Sequence, residues 1–214
     1  MIYQVSPHEQ GTDLWKSDRC GLATGSAIAA LFAKTAAGKP AAARADYCIQ
    51  LVLERLTGAP AESDYINKEM EWGTAQEPFS RMAYETATGL MVEEAGFCYL
   101  THIKAGCSVD GFVTDAGRNG IWESKSPKSK THLGYLEAGT VPPQYVPQIE
   151  HNMWVTGAQF CDFQSYDPRF PEKLQRFCVR MERNESRITA HAAAVKVFLD
   201  EVDQLEQQLR LKAA

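Results

Sequence analysis

The residues with the clearest chemical potential lie in CSVDGFVTDAGRNGIWESKSP, residues 107–127, which holds two acids and a lysine at an informative spacing. The turn-rich DAGRNG stretch divides this segment into two short β-forming runs, so it reads as a hairpin centred between Ala116 and Gly117. In that hairpin Asp110 faces Glu123 directly, and the two-residue period of a strand puts Glu123 and Lys125 on one side. Two carboxylates and an ammonium then converge at one edge of a sheet. The set suits a hard cation such as Mg²⁺, which keeps several waters and shares phosphate oxygens, while the ammonium can orient or help deprotonate an attacking water. The plain alternative is a surface hairpin with an ordinary acid–lysine pair, because D-(x)n-E-x-K is a short pattern. Phe112 and Trp122 speak for a partly buried hairpin. Glu77 lies on a helix ahead of the strands and by itself reads as a solvated helix residue.

The elements that must position these groups follow from hydrophobic periodicity. Residues 1–24 look irregular. Residues 26–34 read as a short helix and 41–56 as a second, with the Gly/Lys/Pro-containing stretch Thr35 to Pro40 as a loop between them. A helix over 74–88 tolerates Pro78 in its first turn and ends at Gly89. Residues 90–114 alternate with glycine breaks, and 120–126 forms another strand. Residues 127–143 are polar and marked by Pro and Gly; a helix follows over 144–156, then strands at 160–165 and 177–182. A long amphipathic helix over 185–209 carries Ile188, Ala192, Val195, Leu199, Val202, Leu205 and Leu209 at spacings of three and four. The succession predicts an α/β fold with a mixed β-sheet flanked by helices, and one domain over residues 1–214.

Composition narrows the class. The chain has 214 residues, 44% hydrophobic and 23% charged, with Gly 15 and Pro 10, which excludes a disordered tail, a collagen-like repeat and a small disulfide scaffold. No run approaches the roughly 20 apolar residues of a membrane span, and residues 1–16 lack a signal-peptide pattern, so the expected location is cytoplasmic, with no membrane partner. The six cysteines are scattered singly without zinc-site spacing and read as structural thiols, and the five histidines show no ligand spacing. A net charge of −5 argues against a non-specific DNA coater. It leaves room for a nuclease, whose carboxylates gather around cations.

With these residues in place, the sequence resembles the phage lambda exonuclease and YqaJ-type viral recombinase family, of the PD-(D/E)XK nuclease superfamily. Five ordered blocks carry the resemblance: W-x3-R-x4-T-x-S at Trp15, Arg19, Thr24 and Ser26; WGxxxE from Trp72 to Glu77; S-x-D-G from Ser108 to Gly111; E-x-K from Glu123 to Lys125; and QIEHNMWVT with SYDPRF at residues 148–156 and 165–170. Val109 stands where the family commonly has proline, and the loop at 35–43 offers no arginine for the family's additional phosphate contacts.

The resemblance implies a restriction-endonuclease-like core. It implies metal ligands Asp110, Glu123 and the Ser124 carbonyl, with Glu77 acting directly or through water. Lys125 would be the base or water-orienting group, and Gln148 a further catalytic residue on a helix lining the site, with Tyr145 near it on one helical face; a core role for Tyr145 is the alternative. Arg19, Thr24, Ser26 and Ser108 resemble the pocket for a terminal 5'-phosphate. Independently, Thr24-Gly25-Ser26 reads as a helix start, where unpaired N–H groups favour a phosphate, and Arg19 supplies a cationic fork. Met70 corresponds to an apolar wedge between base pairs, or is a packing methionine. Lys128 and Lys130 form with Lys125 the clearest basic run, suited to DNA phosphates or simply to a solvated loop.

The implied activity is a Mg²⁺-dependent 5'-to-3' exonuclease, with Mn²⁺ a possible substitute, acting on linear double-stranded DNA with a 5'-phosphate end and leaving a 3' overhang for phage-type recombination. A homotrimeric ring, a single-strand annealing recombinase as partner, and a bacterial cell carrying a phage or prophage are implied by the same resemblance. Competing readings are a structure-specific or restriction-like endonuclease on the same metal site, a catalytically silent DNA-end-binding module, and a trimeric scaffold with an ordinary surface hairpin.

Overall fold

The computed structural model describes residues 3–61 and 68–213, and its central feature is a sheet built from the second half of the chain. Strand β5 (Gly111–Asp115) pairs antiparallel with β6 (Arg118–Lys125), β6 pairs parallel with β7 (Phe160–Tyr166), and β7 pairs antiparallel with β8 (Arg176–Glu182). The β5–β6 turn places Ala116 at φ 50° and Gly117 at φ 79°, the left-handed pair that a two-residue hairpin needs to match strand twist. Asp115 pairs with Arg118, so the hairpin is centred where its sequence placed it. All seven residues of β7 are buried, as expected of a strand with neighbours on both edges and helices on both faces.

A second four-stranded sheet, in the order β1-β3-β4-β2, joins β1 (Tyr3–Val5), β3 (Cys98–Leu100), β4 (Ala105–Cys107) and β2 (Ala23–Thr24). The strands thus divide between two mixed sheets. Each strand of the second is two or three residues long, too short for periodicity to register.

Helices cover the larger sheet on both sides. Helix α4 (Lys68–Thr88) packs on β6, β7 and β8, meeting the face that carries Trp122, Ser124, Asp162 and Gln164. Helix α6 (Val146–Thr156), entered through a 3-10 turn at Pro143–Tyr145, packs on β3, β4, β6 and β7, meeting the face of Glu123 and Phe163. Helix α7 (Glu185–Ala213) lies against α6 and α3 (Ala42–Thr57), burying Ile188, Val195, Phe198, Leu199 and Val202 along one stripe.

Several local expectations are corrected. The stretch 1–24 is ordered where described, from residue 3: it holds β1, β2 and helix α1 (Asp13–Arg19), whose start is capped by the Thr12 side chain accepting from the Trp15 N–H. The expected helix over 26–34 shrinks to α2 (Ala29–Phe32). The helix expected from residue 74 already runs at Lys68, so Trp72, Gly73 and Pro78 lie inside it. Residues 127–143 hold helix α5 (Ser129–Ala138), where His132 and Tyr135, three apart, are buried; histidine and tyrosine carried this face without an apolar signal. In the loop at 35–43, the chain closes as a tight turn bridged between Lys34 and Pro40, and α3 begins at Ala42, inside the expected loop.

Candidate active site

Strand β6 delivers Glu123 and Lys125 to the α6 side at its C-terminal end, and the residue just before β5 brings Asp110 beside them. Glu123 is fully buried. Its Oε1 accepts from Lys125 Nζ at 2.5 Å and from Gln148 Nε2 at 2.6 Å, and its Oε2 accepts from Asn152 Nδ2 at 3.2 Å. Asp110 Oδ2 accepts from the Ser124 backbone N–H at 2.7 Å. The Ser124 side chain points to the opposite face, where its Oγ lies 2.6 Å from Ser80 Oγ on α4.

The charges are crowded. Burial pushes the Glu123 carboxyl up to about 7, with Lys125 opposing the shift and Asp110 adding to it. Glu77, on the wall of the cleft, is also pushed up to about 7, first by loss of water and then by the Asp110 charge. Burial by itself would lower the Lys125 ammonium, but the carboxylates of Glu123 and Asp110 outweigh it and hold it above the ordinary lysine value. Lys125 is therefore a charged donor here, fixed on Glu123 and 5.7 Å from the Tyr145 ring centre.

Among the described residues no three His, Cys, Asp or Glu side chains stand together as a ready cage for a metal. The acids that converge are Asp110 and Glu123, with the Ser124 backbone N–H of β6 holding Asp110. The side-chain donors are oxygens, and the Asp110 charge adds to burial in raising the carboxyls of Glu123 and Glu77. That chemistry fits a hard divalent ion that keeps most of its waters, and does not fit a thiolate or imidazole site.

Arg19 and Ser26 line a cleft of about 1780 Å³ whose walls also include Trp15, Met70, Glu77 and Asp110. Arg19 Nη2 donates to Ser26 Oγ at 2.9 Å, and the guanidinium lies 4.0 Å from the Trp15 ring centre. Trp15 Nε1 donates to Ser108 Oγ at 3.2 Å, drawing Ser108 into the group. Thr24 is buried, its backbone N–H donating to Tyr47 Oη at 2.9 Å. The expected helix start at Thr24–Ser26 is absent: α2 has four residues and begins beyond Ser26, at Ala29. The cation in this group is Arg19.

The remaining candidates are dispersed. Met70 is half exposed on the cleft wall. Lys128 forms an ion pair with Glu69 of α4 at 2.8 Å, and Lys130 is exposed on α5. The Tyr145 ring packs tilted against Phe163 with centroids 5.2 Å apart, so it has a packing role whatever else it does. Asn152 and Tyr47 were not anticipated. Asn152 was findable, since it lies four residues after Gln148 on the same helical face; Tyr47 gave no local signal.

The family model of the YqaJ-like viral recombinase domain matches residues 14–159. Among solved structures, the alkaline exonuclease LHK-Exo from Laribacter hongkongensis is 36% identical, with a TM-score of 0.83, covering 94% of this chain and 98% of its own; its complex with dAMP superposes at 0.84. A phage-related exonuclease from Haemophilus somnus 129PT shares the fold at 15% identity and a TM-score of 0.65, covering 88% of this chain and 96% of its own. The uncharacterized protein ExoD of Escherichia coli K12 is 32% identical over 75 residues, 35% of this chain and 83% of ExoD.

Proposed function

This chain belongs to the YqaJ-like viral recombinase family, with the nuclease fold of LHK-Exo, and from that premise we propose that it is a Mg²⁺-dependent 5'-to-3' exonuclease. Its substrate is linear double-stranded DNA with a 5'-phosphate, from which it removes nucleotides of one strand and leaves a 3' overhang for phage-type recombination. The observation that carries this reading is the shared cleft: Arg19 and Ser26, suited to a terminal phosphate, line the same space as Asp110 and Glu77. The dAMP held by LHK-Exo is a product of the expected kind.

Asp110, Glu123, the Ser124 carbonyl and, directly or through water, Glu77 would hold Mg²⁺, with Mn²⁺ as a substitute. When bound, the ion supplies positive charge to the phosphoryl oxygens and to the leaving 3'-oxygen of an in-line displacement. Gln148 and Asn152 fix the Glu123 carboxylate, so its orientation is set before substrate arrives. Lys125 orients the attacking water and offsets the charge gathering on the phosphoryl group. Arg19 grips the terminal phosphate through its guanidinium fork, Ser26 and Ser108 add hydroxyl contacts, and Thr24 shapes the wall behind them. Met70 acts at the stacked bases, and Lys128, Lys130 and Tyr145 along the strand. A trimeric ring, a single-strand annealing recombinase as partner, and action in the cytoplasm of a bacterium carrying a phage or prophage belong to the same proposal.

The deciding experiment digests linear duplexes that differ only in a 5'-phosphate or 5'-hydroxyl end, with and without Mg²⁺, beside a closed circle. Rapid loss of the 5'-phosphorylated strand, only with Mg²⁺ and never from the circle, is expected. Cleavage of the circle would assign an endonuclease, and binding without cleavage an end-binding module.

A further inference from the structure

Gln148 and Asn152 lie one turn apart on α6 and both donate to Glu123, but Asn152 also has a second neighbour. It is fully buried, with Nδ2 on Glu123 Oε2 at 3.2 Å and Oδ1 without a hydrogen-bond partner among the described residues. The reversed amide would set Oδ1 against the Glu123 carboxylate, so the orientation is dictated by charge. That orphaned oxygen faces Gly25. A Cβ on Gly25 would overlap Asn152 Oδ1 and lie 3.3 Å from its Cγ, whereas its next neighbour, Cys107 Cβ, would be at an ordinary 3.5 Å. Gly25 is not among the glycines with positive φ, so its backbone would accept alanine. What excludes a side chain is Asn152.

Gly25 is the centre of the turn that presents Ser26 to Arg19. The turn is held by the Gly25 N–H donating to the Gly106 carbonyl at 3.2 Å and by Thr24 on Tyr47. One buried amide thus touches both Glu123 and the turn that carries Ser26. We propose that Asn152 is a positioning residue that joins the Thr24–Gly25–Ser26 turn to the Glu123 carboxylate, so that seating a terminal phosphate on Arg19 and Ser26 and orienting Glu123 are a single mechanical event. The inference rests on the nuclease reading above and adds to it a coupling between end recognition and the metal carboxylate.

A double-mutant cycle on Gly25→Ala and Asn152→Ala tests it. Three properties are read: Mn²⁺ affinity by calorimetry, binding of 5'-phosphate against 5'-hydroxyl duplex in metal-free protein, and cleavage rate. Gly25→Ala touches no carboxylate, yet it should weaken Mn²⁺ about tenfold, the size of effect of losing a group that orients a ligand. In the Asn152→Ala background, where the obstructing amide is gone, Gly25→Ala should cost nothing more. Equal losses in both backgrounds, or a Gly25→Ala protein with wild-type Mn²⁺ affinity, overturn the coupling. Should Gly25→Ala fail to fold, Asn152→Ala alone must reduce the metal-free preference for the 5'-phosphate end as well as Mn²⁺ affinity; loss of Mn²⁺ affinity only overturns it. Wild-type protein that neither binds Mn²⁺ nor cleaves defeats the nuclease reading and the coupling together. Wild-type protein that does both, beside additive variants, defeats the coupling alone.

Discussion

Glu123 and Asp162 are buried acids on neighbouring strands of one sheet, facing opposite sides, and their surroundings differ in one decisive respect. Asp162 is matched: Arg180 grips it through Nε at 2.7 Å and Nη2 at 2.8 Å, and Tyr84 donates to it at 2.6 Å. Arg180 also pairs with Asp115 and lies 3.8 Å from the Phe160 ring centre, closing the cluster under α4. Glu123 has one lysine and two amides, while Asp110 and Glu77 add charge from the cleft. A paired carboxylate in a closed cluster stabilises structure; a carboxylate group in excess of its cations, beside an opening, is prepared for a cation from outside.

The sharpest way to break the contrast is to remove the cation on each side. Lys125→Ala should lower the cleavage rate about 10²–10⁴-fold while DNA still binds, the usual range for a group that manages the attacking water. Its stability should change little, because Glu123, already pushed up to about 7, can take a proton in place of the ammonium. Retention of more than about a tenth of the rate would remove Lys125 from the mechanism. Asp162→Ala should behave oppositely, destabilising the fold in urea unfolding by about 1–3 kcal/mol through the lost bonds from Arg180 and Tyr84, with Asp115 still pairing Arg180, and with cleavage per folded molecule unchanged.

A third buried cluster sharpens the comparison because it carries no charge. His151 Nδ1 lies 3.1 Å from His191 Nε2 between α6 and α7. Burial, and then the neighbouring ring, holds His151 down to about 3, and burial holds His191 down to about 4. Both folded-state values lie below the unfolded one, so the native state binds protons less readily than the unfolded chain. Stability should be fully present above about pH 6.5 and fall as pH drops toward 4, by about 3 kcal/mol for the first ring. Urea midpoints at pH 7.5 and 5 should separate in wild type and separate less in His191→Gln, which keeps the buried His151 but removes the second ring; an equal separation in both would rule His191 out as a cause.

The smallest expected effect is at Arg19, on the cleft wall. Arg19→Ala should lose the preference for 5'-phosphorylated ends, roughly tenfold to a hundredfold, as expected for one charged contact of ~1.5–3 kcal/mol. The 5'-hydroxyl duplex should be digested much as by wild type. Equal slowing on both substrates would make Arg19 a general DNA contact.

The Asp110, Glu123 and Lys125 group was legible in the chain because a hairpin is a local object: the turn at Ala116 and Gly117 sets the register, and the register sets which side chains share a face. The long C-terminal helix was legible for the same reason, its apolar stripe repeating over many turns. Short elements were not. The seven residues of α1 and the buried His132 and Tyr135 of α5 take their form from distant partners, His132 from Ser165 and the Leu174 carbonyl.

The amino-acid order by itself therefore determined the hairpin, its acids and lysine, and the main helices, since each depends on contacts a few residues apart. Tertiary structure alone decided that the strands divide into two sheets and that Trp15 reaches Ser108 across 93 residues. It alone decided that Asn152 touches both Glu123 and Gly25. Such contacts join segments whose separation leaves no periodicity to read, and only packing of the finished core brings them within hydrogen-bond range.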